Sequence, residues 1–205
     1  GNIRFLKNCM GGWLAQELRR GWRHADGRET PWSELDALTL AAPPFGALVD
    51  PDDPGFFNPP DMEAALAAFC ARTGQTPPAT RGAWLRCVYE SLALKYRQIQ
   101  EQLAAVTGAP TRVIHIVGGG SRNALLNQFT ADACNRPVIA GPTEATAVGN
   151  LMVQAMGLGR LRRLADALPL IRHALPIRDF TPRTPGDWTA PYARFQAIAA
   201  RASTA

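Results

Sequence analysis

The stretch best equipped for chemistry is Gly118-Gly119-Gly120, followed by Ser121-Arg122-Asn123. It stands between a β-branched run, Val113-Ile114-His115-Ile116-Val117, and a segment carrying Leu125, Leu126 and Phe129 at helical spacing. Glycines at a strand-to-helix junction admit positive φ and leave no side chains in a ligand's way. The helix that follows aims backbone N–H groups and the positive end of its dipole at the same point. That combination suits a phosphate; a tight turn that binds nothing is the alternative the residues leave open. Two familiar phosphate loops do not fit. G-x-x-x-x-G-K-[ST] needs a lysine that does not follow here. G-x-G-x-x-G would end on Asn123, and Ala140-Gly141 stand where a ribose-binding acid should close the next strand.

Other reactive side chains are scattered. Cys9, Cys70, Cys87 and Cys134 show neither a CxxC pair nor Cys/His ligand spacing, so no metal set is expected. The simplest reading is four small buried thiols in a reducing cytoplasm, with an adventitious Cys70–Cys87 disulfide within reach of two consecutive helices. His115 is expected to pack within its strand, and His24 and His173 to sit on exposed helix ends. Ser121 has no His/Asp partner pattern and is not expected to be a nucleophile. Asp50, Asp52 and Asp53 fall in a Pro/Gly/Asp-rich stretch, 43 to 60, read as a surface excursion that nothing links to the glycine turn. Glu144 suits a helix N-terminus and is read as structural.

The elements that would position these residues are legible from spacing. Met10, Trp13, Leu14, Glu17 and Leu18 follow a helical rhythm, with Gly11 and Gly12 in its first turn. A short helix is expected at Pro31, capped by Thr30. Asp61 should cap a helix through Leu66 and Phe69 that stops at Gly74. Trp84, Leu85, Val88, Leu92, Tyr96, Ile99, Leu103 and Val106 trace one face of a long helix ending at Gly108. Val113–Val117 reads as a buried strand, Ser121 as the cap of the next helix, and Val138-Ile139-Ala140 as a second, parallel strand. Gly141-Pro142-Thr143 opens a further helix to Met156. A helix around 161–173, a proline-rich extended segment from Pro176 to Pro185 and a last helix from about Pro191 complete the chain. The fold class is α/β, helix-rich with a short parallel βαβ unit, resembling the back half of a domain whose first strands are absent.

At 205 residues and 46% hydrophobic content, the chain is one domain's worth of sequence. Its 22 basic and 17 acidic residues leave a net +5. The arginine clusters Arg19/Arg20/Arg23 and Arg160/Arg162/Arg163 lack interleaved aromatics, so nucleic acid is not an expected partner. No apolar run is long enough to span a membrane. The Gly1-Asn2-Ile3-Arg4 opening carries no secretory signal and no initiating Met, so a partial chain of cytoplasmic location is expected.

Taken together, Ile114–Asn123 with Leu125-Leu126-Asn127-Gln128, Val138–Ala145 and Gly149-Asn150 resemble the carboxy-terminal domain of the FGGY carbohydrate kinases. That family sits within the actin/Hsp70/sugar-kinase superfamily. Phe5-Leu6-Lys7-Asn8-Cys9-Met10-Gly11, Trp13-Leu14, Gln16, Phe57-Asn58-Pro59 and Ser91-Leu92-Ala93-Leu94 fit the same family, most nearly its members that act on L-rhamnulose. The resemblance implies a partial ribonuclease-H-like domain spanning residues 1–205, the nucleotide-facing part of the second of two domains, with the amino-terminal domain as its covalent partner. It implies ATP-dependent phosphorylation of L-rhamnulose at its 1-hydroxyl, with ATP/ADP and a ketose as ligands and Mg²⁺ as cofactor. By the same match, Gln16, Gly118, Gly119, Gly120 and Asn123 are expected to bind nucleotide. Gly119 would make the contact, with Gly118 and Gly120 shaping the turn, and Asn123 would lie near adenine. Asn8 is expected to face the sugar; on one helix, it and Gln16 would share a face. The family's general-base aspartate, in a His-Asp-Thr-like motif, has no counterpart in this sequence, so this chain alone is expected to have no turnover. Another FGGY kinase is the first rival reading. A catalytically dead binding module is the second, and a Rossmann-type oxidoreductase a distant third.

Overall fold

The computed structural model describes residues 6–202. Residues 1–4 and Phe5, which opens the amino-terminal motif, lie outside the described residues. Eight helices are described: α1 (Trp13–Asp26), α2 (Trp32–Ala41), α3 (Met62–Arg72), α4 (Arg81–Thr107), α5 (Ala124–Cys134), α6 (Ala145–Gly157), α7 (Leu168–Ala174) and α8 (Thr189–Ala202). Three short strands join them: β1 (Ile114–Ile116), β2 (Val138–Ala140) and β3 (Arg178–Phe180).

The scaffold is α4. The Thr80 side chain caps it by accepting the Ala83 N–H at 3.2 Å, and Gly108 ends it in the left-handed region at φ 68°. Its first half, from Gly82 to Lys95, is buried almost residue for residue. α2 lies so close that a Cβ on Gly82 would stand 2.2 Å from the Leu38 carbonyl oxygen. Leu14, Leu35, Leu66, Phe69, Leu85, Leu92 and Phe195 meet around α4 in one core. α3 follows its sequence signals, with Asp61 capping the Ala64 N–H at 3.1 Å.

α1 begins at Trp13, because Gly11 and Gly12 do not propagate the helix toward Met10. Its buried face is Leu14, Ala15, Glu17, Leu18 and Trp22, while Trp13 is 38% exposed. The buried Glu17 is satisfied by Arg20 (Nε 2.8 Å, Nη2 2.5 Å). α2 starts at Trp32 without a side-chain cap, so Thr30 does not play the role expected of it. Instead the Thr30 carbonyl accepts from Arg19 Nε at 2.8 Å.

The stretch from 43 to 60 is only in part a surface excursion: its ends and Pro54-Gly55 are exposed, but its middle is not. Ala47, Leu48 and Val49 are at most 3% exposed, and Phe56 is fully buried. Side chains replace a sheet ladder here. Ser91 Oγ accepts the Val49 N–H at 2.9 Å, and Gln75 both accepts from Leu48 N and donates to its carbonyl. Lys95 Nζ bridges Asp50 Oδ1 (2.8 Å) and Asp52 Oδ2 (3.1 Å), and Arg72 pairs with Asp53.

The sheet order is β1-β2-β3. β1 and β2 are parallel, Ile114 facing Val138, with α5 in the connection. The extended tail segment supplies β3, which runs antiparallel to β2. β1 is not the buried strand its residues suggest: His115 is exposed, as are Val113 (37%) and Val117 (53%). The reason is position, since among the described residues β1 is the edge of the sheet and pairs on one side only. α6 buries none of its residues. α7 is shorter than the 161–173 helix expected, with a 3₁₀ turn at Leu164–Ala167 preceding it. Cys70, Cys87 and Cys134 are buried free thiols, but Cys9 is only half-buried. No helix among the described residues is long and apolar enough to cross a membrane.

Candidate functional site

A cleft of about 850 Å³ opens where the helical body meets the sheet. Its walls come from the 7–12 segment, α1, α2, α4, β1, the glycine turn and α5. Gln16, Gly119, Gly120 and Asn123 all line it. Gly118 and Asn8 do not.

Each glycine of the turn has a different reason to be glycine. Gly118 sits at φ 74°, where an L side chain is strained, and its N–H donates to the Pro142 carbonyl at 3.0 Å. A Cβ on Gly120 would touch Ile116 Cγ2 at 3.4 Å. A Cβ on Gly119 would meet nothing within 4 Å. The residues from Gly118 to Arg122 form a 3₁₀ turn before α5 begins. In such a turn, internal i→i+3 bonds occupy amides from the third residue onward. With Gly118 committed to Pro142, the Gly119 amide is the turn's donor left for a ligand. Sequence reasoning expected several free amides at one helix end; the 3₁₀ turn reduces them.

The turn also displaces the cap. Asn123, not Ser121, caps α5, its Oδ1 accepting the Leu126 N–H at 2.9 Å. Ser121 Oγ turns back to the Gly118 carbonyl at 2.7 Å. Because Asn123 Oδ1 is engaged, its amide nitrogen is the group turned toward the Tyr89 hydroxyl and the cleft. Glu144 stands before α6 without capping it, 3.7 Å from Arg122.

Asn8 lies in a segment without helix or strand, is exposed, and shares no helical face with Gln16. Its neighbours Lys7 and Cys9 line the cleft. Lys7 and Arg122 place positive charge on its wall. Asp36 is the carboxylate among the lining residues, and burial raises its pKa above the ordinary value.

Sequence reasoning missed the cleft floor. Tyr89 and Asn127 are at most 1% exposed, and both line the cleft with Gln100. Asn127 Nδ2 donates to the Ser121 carbonyl at 3.2 Å, which leaves its Oδ1 without a partner. Gln100 Oε1 is likewise unpartnered, and the Tyr89 hydroxyl approaches Asn123 without completing a hydrogen bond. Native proteins leave few buried polar atoms orphaned, so a group of them beside one cleft fits a polar ligand or ordered water. Helical spacing of Tyr89 and Gln100 reads as core from sequence, and no local signal separates the two roles.

For magnesium the residues offer little. No group of three or more His, Cys, Asp or Glu side chains converges among the described residues. Mg²⁺ prefers one or two carboxylates together with substrate phosphates. This chain alone therefore does not build a site for it.

A strand, a glycine turn and a helix-lined cleft are the parts of a sugar-kinase-type domain. Residues 1–158 match the FGGY family of carbohydrate kinases, C-terminal domain, and the chain belongs to that family. Among curated relatives, it is 45% identical over 196 residues to the rhamnulokinase of Bacteroides thetaiotaomicron, covering 96% of this chain and 39% of the relative. It is 42% identical over 201 residues to that of Pectobacterium carotovorum, covering 97% of this chain and 39% of the relative. The chain thus spans about two fifths of the length of these relatives. Among solved structures, a xylulose kinase from Rhodospirillum rubrum superposes with a TM-score of 0.58 at 26% identity, over 92% of this chain and 36% of the other. A gluconate kinase from Lactobacillus acidophilus superposes at 0.64 and 16% identity, over 94% of this chain and 38% of the other, a likeness of fold alone. The fold is a helix-rich part of a ribonuclease-H-like domain with a small mixed sheet.

Proposed function

We propose that this chain, over residues 1–205, supplies the nucleotide-facing part of a cytoplasmic kinase that transfers the γ-phosphoryl group of ATP to the 1-hydroxyl of L-rhamnulose. The observation that carries the reading is the convergence of Gln16, Gly119 and Asn123 on one cleft floored by unpartnered polar atoms. The Gly119 amide holds a phosphate oxygen, and Lys7 and Arg122 offset its charge. Gln16 and the Asn123 amide nitrogen meet the nucleoside. Gly118 and Gly120 act by shaping the turn. Asn8, exposed beside the cleft, faces the ketose in the complete enzyme. The relatives' name supports rhamnulose over other ketoses.

In the reaction the sugar oxygen forms a bond to the γ-phosphorus as the bond to the ADP oxygen breaks, and a carboxylate takes the hydroxyl proton. Mg²⁺, when bound to the phosphates, neutralises their charge. No carboxylate of this chain takes the base's place: Asp36 lines the nucleotide cleft, and Asp50, Asp52 and Asp53 are each paired to a cation. The 205-residue chain is therefore expected to bind ADP in a calorimetric titration but to show no rhamnulose phosphorylation. The full-length protein carrying it should phosphorylate L-rhamnulose ahead of xylulose, fuculose, gluconate and glycerol. A full-length enzyme that prefers one of those acceptors overturns the sugar assignment. A chain that binds NAD(H) and no adenine nucleotide overturns the kinase reading.

A further inference from the structure

We infer that Asp52, held by Lys95, is the positioning residue that seats the 7–12 segment on the edge of the cleft. The segment has no helix or strand of its own before Gly12, yet Lys7, Cys9 and Gly12 form part of the cleft wall. Something must fix it, because an untethered stretch with glycines at 11 and 12 has large conformational freedom to lose. The Met10 N–H donates to Asp52 Oδ1 at 2.7 Å, across 42 residues of sequence. Asp52 Oδ2 in turn meets Lys95 Nζ at 3.1 Å, and Lys95 also holds Asp50 at 2.8 Å. The Lys95 and Asp52 side chains are 10% and 25% exposed, so solvent screens this bridge less than a surface pair.

The arrangement says what Asp52 does and does not do. One of its oxygens takes a backbone amide and the other takes an ammonium, and Asp52 itself is not among the residues that line the cleft. It acts through the segment it holds. The same anchor fixes two neighbours with opposite outlooks, Cys9 lining the cleft and Asn8 exposed outside it. Asp52 therefore sets the nucleotide wall and the exposed Asn8 together. Only the nucleotide arm of the test below rests on the kinase reading.

Cys9 makes the seating measurable, since it is half-buried while Cys70, Cys87 and Cys134 are buried. The test is the rate per thiolate at which Ellman's reagent labels Cys9 in the purified chain, with the Cys9 pKa titrated in each variant, because Asp52 raises it and Lys95 lowers it directly, and with labelled sites assigned by mass spectrometry. A charge-assisted hydrogen bond is worth enough that Asp52→Ala should raise the Cys9 rate about tenfold. Lys95→Met should do the same, and Lys95→Arg, which keeps the bridge, should stay near wild type. The other three cysteines should remain unlabelled in every variant. Asp52→Ala should also weaken ADP binding about tenfold. Wild-type Cys9 rates in both Asp52→Ala and Lys95→Met overturn the inference, and so does labelling of all four cysteines together, which reports loss of the fold. ADP should slow Cys9 labelling in the wild-type chain. If it does not, the nucleotide reading of the cleft fails, while the comparison without ADP still decides the role of Asp52.

Discussion

Asn123 carries two duties that chemistry can separate. Its Oδ1 caps α5 through Leu126 N, and its amide nitrogen, beside the Tyr89 hydroxyl, is the donor proposed to serve the cleft. Asn123→Asp keeps an oxygen at the cap, where negative charge is welcome, but replaces that donor with a second acceptor. It is expected to melt within a few degrees of wild type and to lose about tenfold or more in ADP affinity. Asn123→Ala should lose the cap as well, at about 1 kcal/mol of stability. Thermal melts paired with ADP titrations distinguish the two; equal ADP affinity in Asn123→Asp would remove this residue from the nucleotide site. At this scale the sequence was informative about which residues gather and less so about how they act. Gly119, Gly120, Gln16 and Asn123 do meet. The capping exchange between Ser121 and Asn123 was hidden because both residues cap well, and a 3₁₀ turn leaves no periodic signature in five residues.

Among the elements, α2 and α4 approach each other closely at Gly82. A methyl at Gly82 would collide with the Leu38 backbone, and a backbone cannot swing aside as a long side chain can. Gly82→Ala, favourable by helix propensity, is expected to cost about 1–3 kcal/mol by overpacking. Urea unfolding of the two proteins checks this, and a stabilised variant would show that α2 yields. The start of α3 and the end of α4 could be read from Asp61 and Gly108 because caps are local chemistry, whereas the Thr80 cap of α4 was not singled out. The burial of Ala47–Val49 could not. Its backbone is satisfied by Gln75 and Ser91, 27 and 42 residues away, and turn-forming Asp and Pro residues around it imitate a surface loop. The same limit applies to β1, whose β-branched residues signal a strand but not which side of it has a neighbour.

For the molecule as a whole, six of the fourteen exposed large hydrophobic side chains among the described residues fall between Leu151 and Leu170. α6 buries nothing, with Leu151 59% and Val153 62% exposed, and Leu158, Leu164, Leu168 and Leu170 continue the exposure. Where exposed apolar side chains of this kind adjoin, they favour association in water. Sedimentation velocity on the isolated chain should show mass rising with concentration, and a Leu151→Glu/Val153→Glu double variant should sediment as a smaller species. Identical behaviour of the two would mean that the patch is inert. The open side of β1 has another consequence. That strand ends one residue before the glycine turn, so whatever hydrogen-bonds along its open edge also restrains the loop proposed to hold the phosphate. Ligand affinity and edge occupancy then share one coupling energy, and by reciprocity a bound nucleotide must tighten the grip of the strand's lateral partner by the same factor.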